Sequence, residues 1–185
     1  MFFDELDSFL VRFKTRGIPE RPSKAEEEED IIDELLDLYL LAYFEGSQDA
    51  ARELLIDVTP SVDKAEATIN RPIEGKTFED RVREYINGQG DISTVDGIAR
   101  VAETDSVRIY NEAKLTVAKD NGAKEKTWHT MGDNKVRDTH EPLDGVKVPI
   151  DADFYTWDFD QAPAPGQFGK ASNNVGCRCW LTFNK

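Results

Sequence analysis

The side chains able to do chemistry gather between Lys126 and Leu181. Both histidines (His129, His140), both cysteines (Cys177, Cys179) and all three tryptophans (Trp128, Trp157, Trp180) fall in that stretch. An imidazole and two thiolates can fill three of zinc's four positions, so His140, Cys177 and Cys179 are candidate metal ligands, with His129 or Asp144 as a fourth. The C-x-C spacing is poorer than C-x-x-C for one tetrahedral ion. Arg137 and His140 could instead bind a phosphate and move a proton, as a metal-independent nuclease needs, with Asp138, Glu141 or Asp144 assisting. A Cys–His nucleophile pair is formally available too. The competing expectation involves no catalysis: thiols packed as small hydrophobes, His140 closing a turn, Arg137 gripping a carboxylate inside the fold, and the tryptophans as core anchors.

Composition narrows the field. The formal net charge is −14, and residues 1–57 hold 16 acidic against 6 basic side chains. No basic stripe supports DNA contact. Two cysteines at i and i+2 make no disulfide framework, which suits a reducing, intracellular assembly site. Met1–Leu10 lacks the pattern of a signal peptide, and no run approaches the roughly 20 apolar residues of a membrane span. A soluble protein is expected.

The elements that must position the cluster are mostly helical. Phe2, Phe3, Leu6, Phe9 and Phe13 recur at helical spacing, so the first helix either folds onto its own domain or presents those residues to a partner, another copy included. A linker is expected near 17–24. Ser23 and Glu26 read as a capping box opening a second helix, whose acidic start suits the macrodipole. Gly46 should end that helix, with a shorter one at 48–56. Weak helical periodicity at 61–70 precedes a helix capped by Thr77 and Asp80. A long helix starts at Ser93 or Thr94 and runs to about Ala118. From Lys126 the pattern changes: a strand at 126–131, a turn, a short segment at 146–150, a Pro/Gly loop at 162–169, and a last strand at 177–183 with Cys177, Cys179, Leu181 and Phe183 on one face. The fold class is α+β: a helical N-terminal two-thirds followed by a small α+β module with a short antiparallel sheet. The division is 1–90 for the helical region and 91–185 for the C-terminal module.

The motifs carry a resemblance. The order W-x-T (Trp128, Thr130), D-x-x-V-R-x-x-H (Asp133, Val136, Arg137, His140), L-D-G-x-x-V (Leu143, Asp144, Gly145, Val148), Phe154, a Pro/Gly loop (Pro163, Pro165, Gly166) and C-R-C (Cys177, Arg178, Cys179) resembles the phage Mu F-like minor head proteins, the head morphogenesis family of tailed phages. The likeness spans roughly 95–183. Two positions depart from the family pattern: Gly176 stands where Asn usually precedes C-R-C, and Glu103-Thr104-Asp105 stands where R-T-E is usual. The resemblance implies a minor structural protein that binds the portal or major capsid protein during procapsid assembly, in the host cytoplasm and then in the virion. Trp128, Asp133, Arg137, His140, Asp144, Gly145, Cys177, Arg178 and Cys179 would be its structural motif, with no cofactor beyond a candidate zinc. The alternative is a small nuclease or ADP-ribosyltransferase-like enzyme or toxin domain using Arg137 and His140.

Overall fold

The computed structural model describes residues 2–18, 24–89 and 93–185. The order is α1 (Phe2–Arg16), α2 (Lys24–Leu54), α3 (Val62–Ile69), α4 (Phe78–Ile86), α5 (Thr94–Asp120), β1 (Glu125–His129), β2 (Lys147–Pro149), β3 (Phe154–Tyr155), β4 (Gln161–Ala162), α6 (Ala171–Asn174) and β5 (Trp180–Asn184). The fold is α+β, with helices first and a small antiparallel region after them. One sheet has the order β2-β1-β5, and β3 and β4 form a separate hairpin.

α5 is the beam of the structure. It packs against α1, α2, α3, α4 and β5, and its buried residues fall on every side. A helix apolar around its whole circumference must be covered around its whole circumference. The pairing of α2 with α5 crosses the expected boundary at residue 90, and one apolar cluster holds residues from both sides of it. A second cluster joins the end of α5 to the sheet and to Trp128, Phe154 and Phe168.

Local signals set most helix ends. Ser61 caps α3, Ser93 caps α5, and Thr77 with Asp80 forms a full capping box on α4. The capping box expected at Ser23 lies outside the described residues, as does most of the expected linker. Gly46 does not end a helix; α2 runs through it to Leu54. A Cβ there would sit 2.3 Å from the Tyr110 carbonyl oxygen on α5. The residue is small because two helix backbones meet, not because the chain must turn.

The partner-facing reading of α1 is corrected. Phe2, Phe3, Leu6, Phe9 and Phe13 are all buried within the chain's own core. Phe2 stacks on Tyr110 at 4.6 Å between ring centroids, and Phe3 meets Trp180 of β5 at 6.2 Å. The helix therefore fastens the start of the chain to its last strand. Covering those rings intramolecularly removes them from solvent without a partner.

Candidate functional site: a buried His–Cys–Cys cluster

β1 and β5 pair in antiparallel register with Trp128 opposite Leu181. Alternation along β5 and the residues before it turns Cys177, Cys179, Leu181 and Phe183 inward, as the period-2 pattern requires. Trp128 points into the same layer and is fully buried. Its ring lies edge-on to His140 at 5.4 Å and to Phe154 at 5.1 Å, with Phe168 at 5.7 Å. His140 arrives from the turn that enters a short 3-10 segment at Glu141–Leu143.

His140 Nδ1 lies 3.6 Å from Cys177 Sγ and 3.5 Å from Cys179 Sγ. All three residues are buried, and both thiols are free. The hydrogen bond from Cys179 outweighs burial and, with His140, holds the Cys177 thiol well below its usual value. The same pairing raises Cys179, and burial adds to it. The two thiols and the imidazole thus share one buried site. His140, Cys177 and Cys179 form a group whose ligand atoms lie within 4.8 Å of one another.

Neither expected fourth ligand joins them. His129 is on the opposite face of β1, stacked on Trp180 at 5.5 Å and bonded through Nε2 to Thr182 Oγ1 at 2.8 Å. Asp144 Oδ1 accepts from the Thr130 N–H at 2.7 Å, tying the turn at Gly145 to the end of β1. Arg137 does not grip a carboxylate; its Nη2 donates to the Val175 carbonyl just ahead of C-R-C. Arg178 pairs with Asp133, fixing the 133–140 loop to the same segment. Among the tryptophans, Trp128 is the core anchor expected and Trp180 is half-buried. Trp157 is not an anchor: it is 64% exposed, with its indole N–H donating to the Asp138 carbonyl at 3.1 Å.

The cavity beside His140, Cys177 and Cys179 has a volume of about 10 Å3. Nucleotide-sized ligands occupy pockets of about 300–1,000 Å3. The space beside Arg137 and His140 is far smaller than that range.

Three further residues hold the site, and ordinary types hid them. Asn111 on α5 acts as an extra strand neighbour: its Nδ2 donates to the Cys179 carbonyl at 3.0 Å and its Oδ1 accepts from Leu181 N–H at 3.2 Å. Asp160 gathers the Pro/Gly loop, accepting from the N–H groups of Gln161, Gly169 and Lys170 and from Asn173 Nδ2. Burial would raise the Asp160 carboxyl, yet these donors outweigh it and hold it below the usual range. Asn173 in turn accepts from Thr139 Oγ1 at 2.9 Å, beside His140. The two departures from the family pattern meet in space: a Cβ on Gly176 would lie 4.0 Å from Glu103 Oε2.

Lys126 is another buried charge, donating to the Pro163 carbonyl at 2.7 Å. Burial, helped by nearby Lys119, lowers its pKa to about 8. The unfolded chain holds that proton up to about pH 10.4, so between about pH 8 and 10 it binds more protons than the folded chain. Stability from this group therefore rises with pH across that window. Urea titrations of wild type and Lys126→Met at pH 7 and pH 10 should show the difference moving toward wild type by on the order of 2–3 kcal/mol. A constant difference would contradict the assignment.

The comparisons with known proteins fall on this same region. The family described as Phage Mu protein F like protein matches residues 63–182, from α3 into β5, and so includes every motif residue above. A relative, NAD(+)--arginine ADP-ribosyltransferase EFV of Enterococcus faecalis (strain ATCC 700802 / V583), is 34% identical over 110 residues. That match covers 57% of this chain and 22% of the relative, so the chain spans under a quarter of the relative's length. No solved structure matches. With the matched segment covering well over half of the sequence and ending on the strand that follows C-R-C, the chain belongs to the Phage Mu protein F like family.

Proposed function

We propose that the protein is a minor assembly protein of a tailed-phage head, binding portal or major capsid subunits during procapsid assembly in the host cytoplasm and remaining in the virion. The observation that carries the reading is the family match across the whole C-terminal module. The packing agrees with it: the motif side chains brace β1, β5 and the 133–145 loop rather than line a cleft. The relative's named activity is that of a chain of which the match covers only 22%. No described helix is long and apolar enough to cross a membrane.

With α1 turned inward, the docking surface has to be elsewhere. The β3–β4 hairpin offers one: Tyr155, Trp157 and Phe159 are 67%, 64% and 98% exposed. Phe159 also sits at φ 63, which a bulky residue adopts only at a cost, and no burial repays it. Thr156, Asp158 and Lys170 hold the tip through their hydrogen bonds. Rigid exposed aromatics are the usual anchors of protein interfaces.

Procapsids isolated from infected cells should contain the chain; heads assembled without it would overturn the reading. A Trp157→Ala/Phe159→Gly double variant should stay within about 1 kcal/mol of wild-type stability, because little is buried and the strained φ is relieved. Its incorporation into heads should fall at least about tenfold, the loss expected when interface anchors are truncated.

A further inference from the structure

We propose that His140 Nδ1, Cys177 Sγ and Cys179 Sγ bind a zinc ion, with a single water molecule as the fourth ligand. The inference stands on the geometry of the cluster and does not depend on the head-assembly reading.

Three observations carry it. First, the distances fit. With Zn–N of about 2.0–2.1 Å and Zn–S of about 2.3 Å, the N···S edge of a tetrahedral site is about 3.5 Å. The nitrogen-to-sulfur separations here are 3.6 and 3.5 Å. Second, Nδ1 is over-subscribed as a hydrogen-bonding atom. A ring nitrogen has one proton or one lone pair, and it cannot serve two sulfurs equally. A cation placed among the three atoms satisfies the lone pair and both thiolates together. Third, the adjoining cavity of about 10 Å3, lined by His140, Gly176, Cys177 and Cys179, is about one water in size. Water there completes four-coordination.

The fold removes the objection raised by the short C-x-C spacing. Both sulfurs already face one nitrogen, because Cys177 and Cys179 share the inner face while Arg178 turns out to Asp133. Gly176, at φ 69, turns the chain immediately before the first ligand. Two thiolates and an imidazole select a borderline or soft metal over magnesium or calcium. The ion would clip the 137–143 turn to the segment leading into β5, joining segments nearly forty residues apart in sequence. Its role is thus to hold the module closed.

The test uses the full chain, without a histidine tag, purified from cells under reducing conditions. Elemental analysis should find about one zinc per chain, and His140→Ala and Cys179→Ser should each lower that at least about tenfold. Val62→Ala, an exposed change on α3 outside the cavity lining, should keep the zinc. Replacing zinc with cobalt(II) should give the intense visible bands of a tetrahedral ion and a near-ultraviolet thiolate-to-cobalt band. Stripping the ion with a chelator should lower the melting temperature, and added zinc should restore it. If the ligand variants fail to fold, the wild-type metal content and cobalt spectrum still decide the matter. Zinc below about 0.1 per chain, with no thiolate–cobalt band on adding cobalt to the reduced protein, would overturn the proposal.

Discussion

Asp105→Ala should cost about 3–5 kcal/mol, the penalty for removing one partner of a buried ion pair and stranding the other. Asp105 is fully buried on α5. Arg81 donates to its two oxygens at 3.1 and 2.7 Å, Tyr39 donates at 3.4 Å, and Arg108 Nε lies 4.0 Å away. Alanine would leave two guanidinium groups and a phenol facing a dry gap, with no opposing charge at the centre. Arg108 is itself buried beside Asp105, and its Nε and Nη2 have no hydrogen-bond partner among the described residues. For a chain of this length, each kcal/mol is about 2–4 °C in melting temperature, so a fall of roughly 10 °C is expected. Thermal unfolding of the variant against wild type measures it. A loss under about 1 kcal/mol would mean that the α4–α5 joint does not rest on this carboxylate.

The second large effect is expected at Trp128. Phe/Trp→Ala changes in a close-packed core cost about 3–5 kcal/mol, through lost burial and the cavity left behind. Trp128 is fully buried between His140, Phe154 and Phe168, so its removal would open a hole where the sheet, the hairpin and the 140 turn meet. Trp128→Phe keeps a ring in place and should cost less than half as much. Denaturant titration of the pair distinguishes them. Equal and small losses would show that the second core closes without the indole.

Some of this architecture could be read from residues alone. The Thr77–Asp80 capping box and the Ser93 cap are local signals, and local structure follows them. The inward face of Cys177, Cys179, Leu181 and Phe183 follows from alternation. Other features depend on what arrives from far along the chain. Gly46 carries the sequence signal of a helix end, yet its smallness serves the approach of Tyr110, 64 positions later. The phenylalanine stripe of α1 showed that one face needed covering, without showing that α5 and Trp180 would cover it. Trp157 looked like an anchor because tryptophans usually are; its two-residue strands are too short for any alternation to mark the hairpin as exposed. Asn111, Asp160 and Asn173 are common types with no local signature, and their work is to hold backbone groups from distant segments. His140, Cys177 and Cys179 were legible as a group because they are rare, although the fourth-ligand candidates were not sorted until β1 placed His129 on its other face.

The most direct test of the account is co-expression of the full chain with the portal and major capsid proteins of its phage, followed by gradient sedimentation and quantitative mass spectrometry of the particles. Wild type should travel with the particles at a fixed, low copy number, and the Trp157→Ala/Phe159→Gly variant, equally folded, should stay at the top of the gradient. Wild-type chain left unbound, or a hairpin variant that sediments with the heads as wild type does, would contradict it.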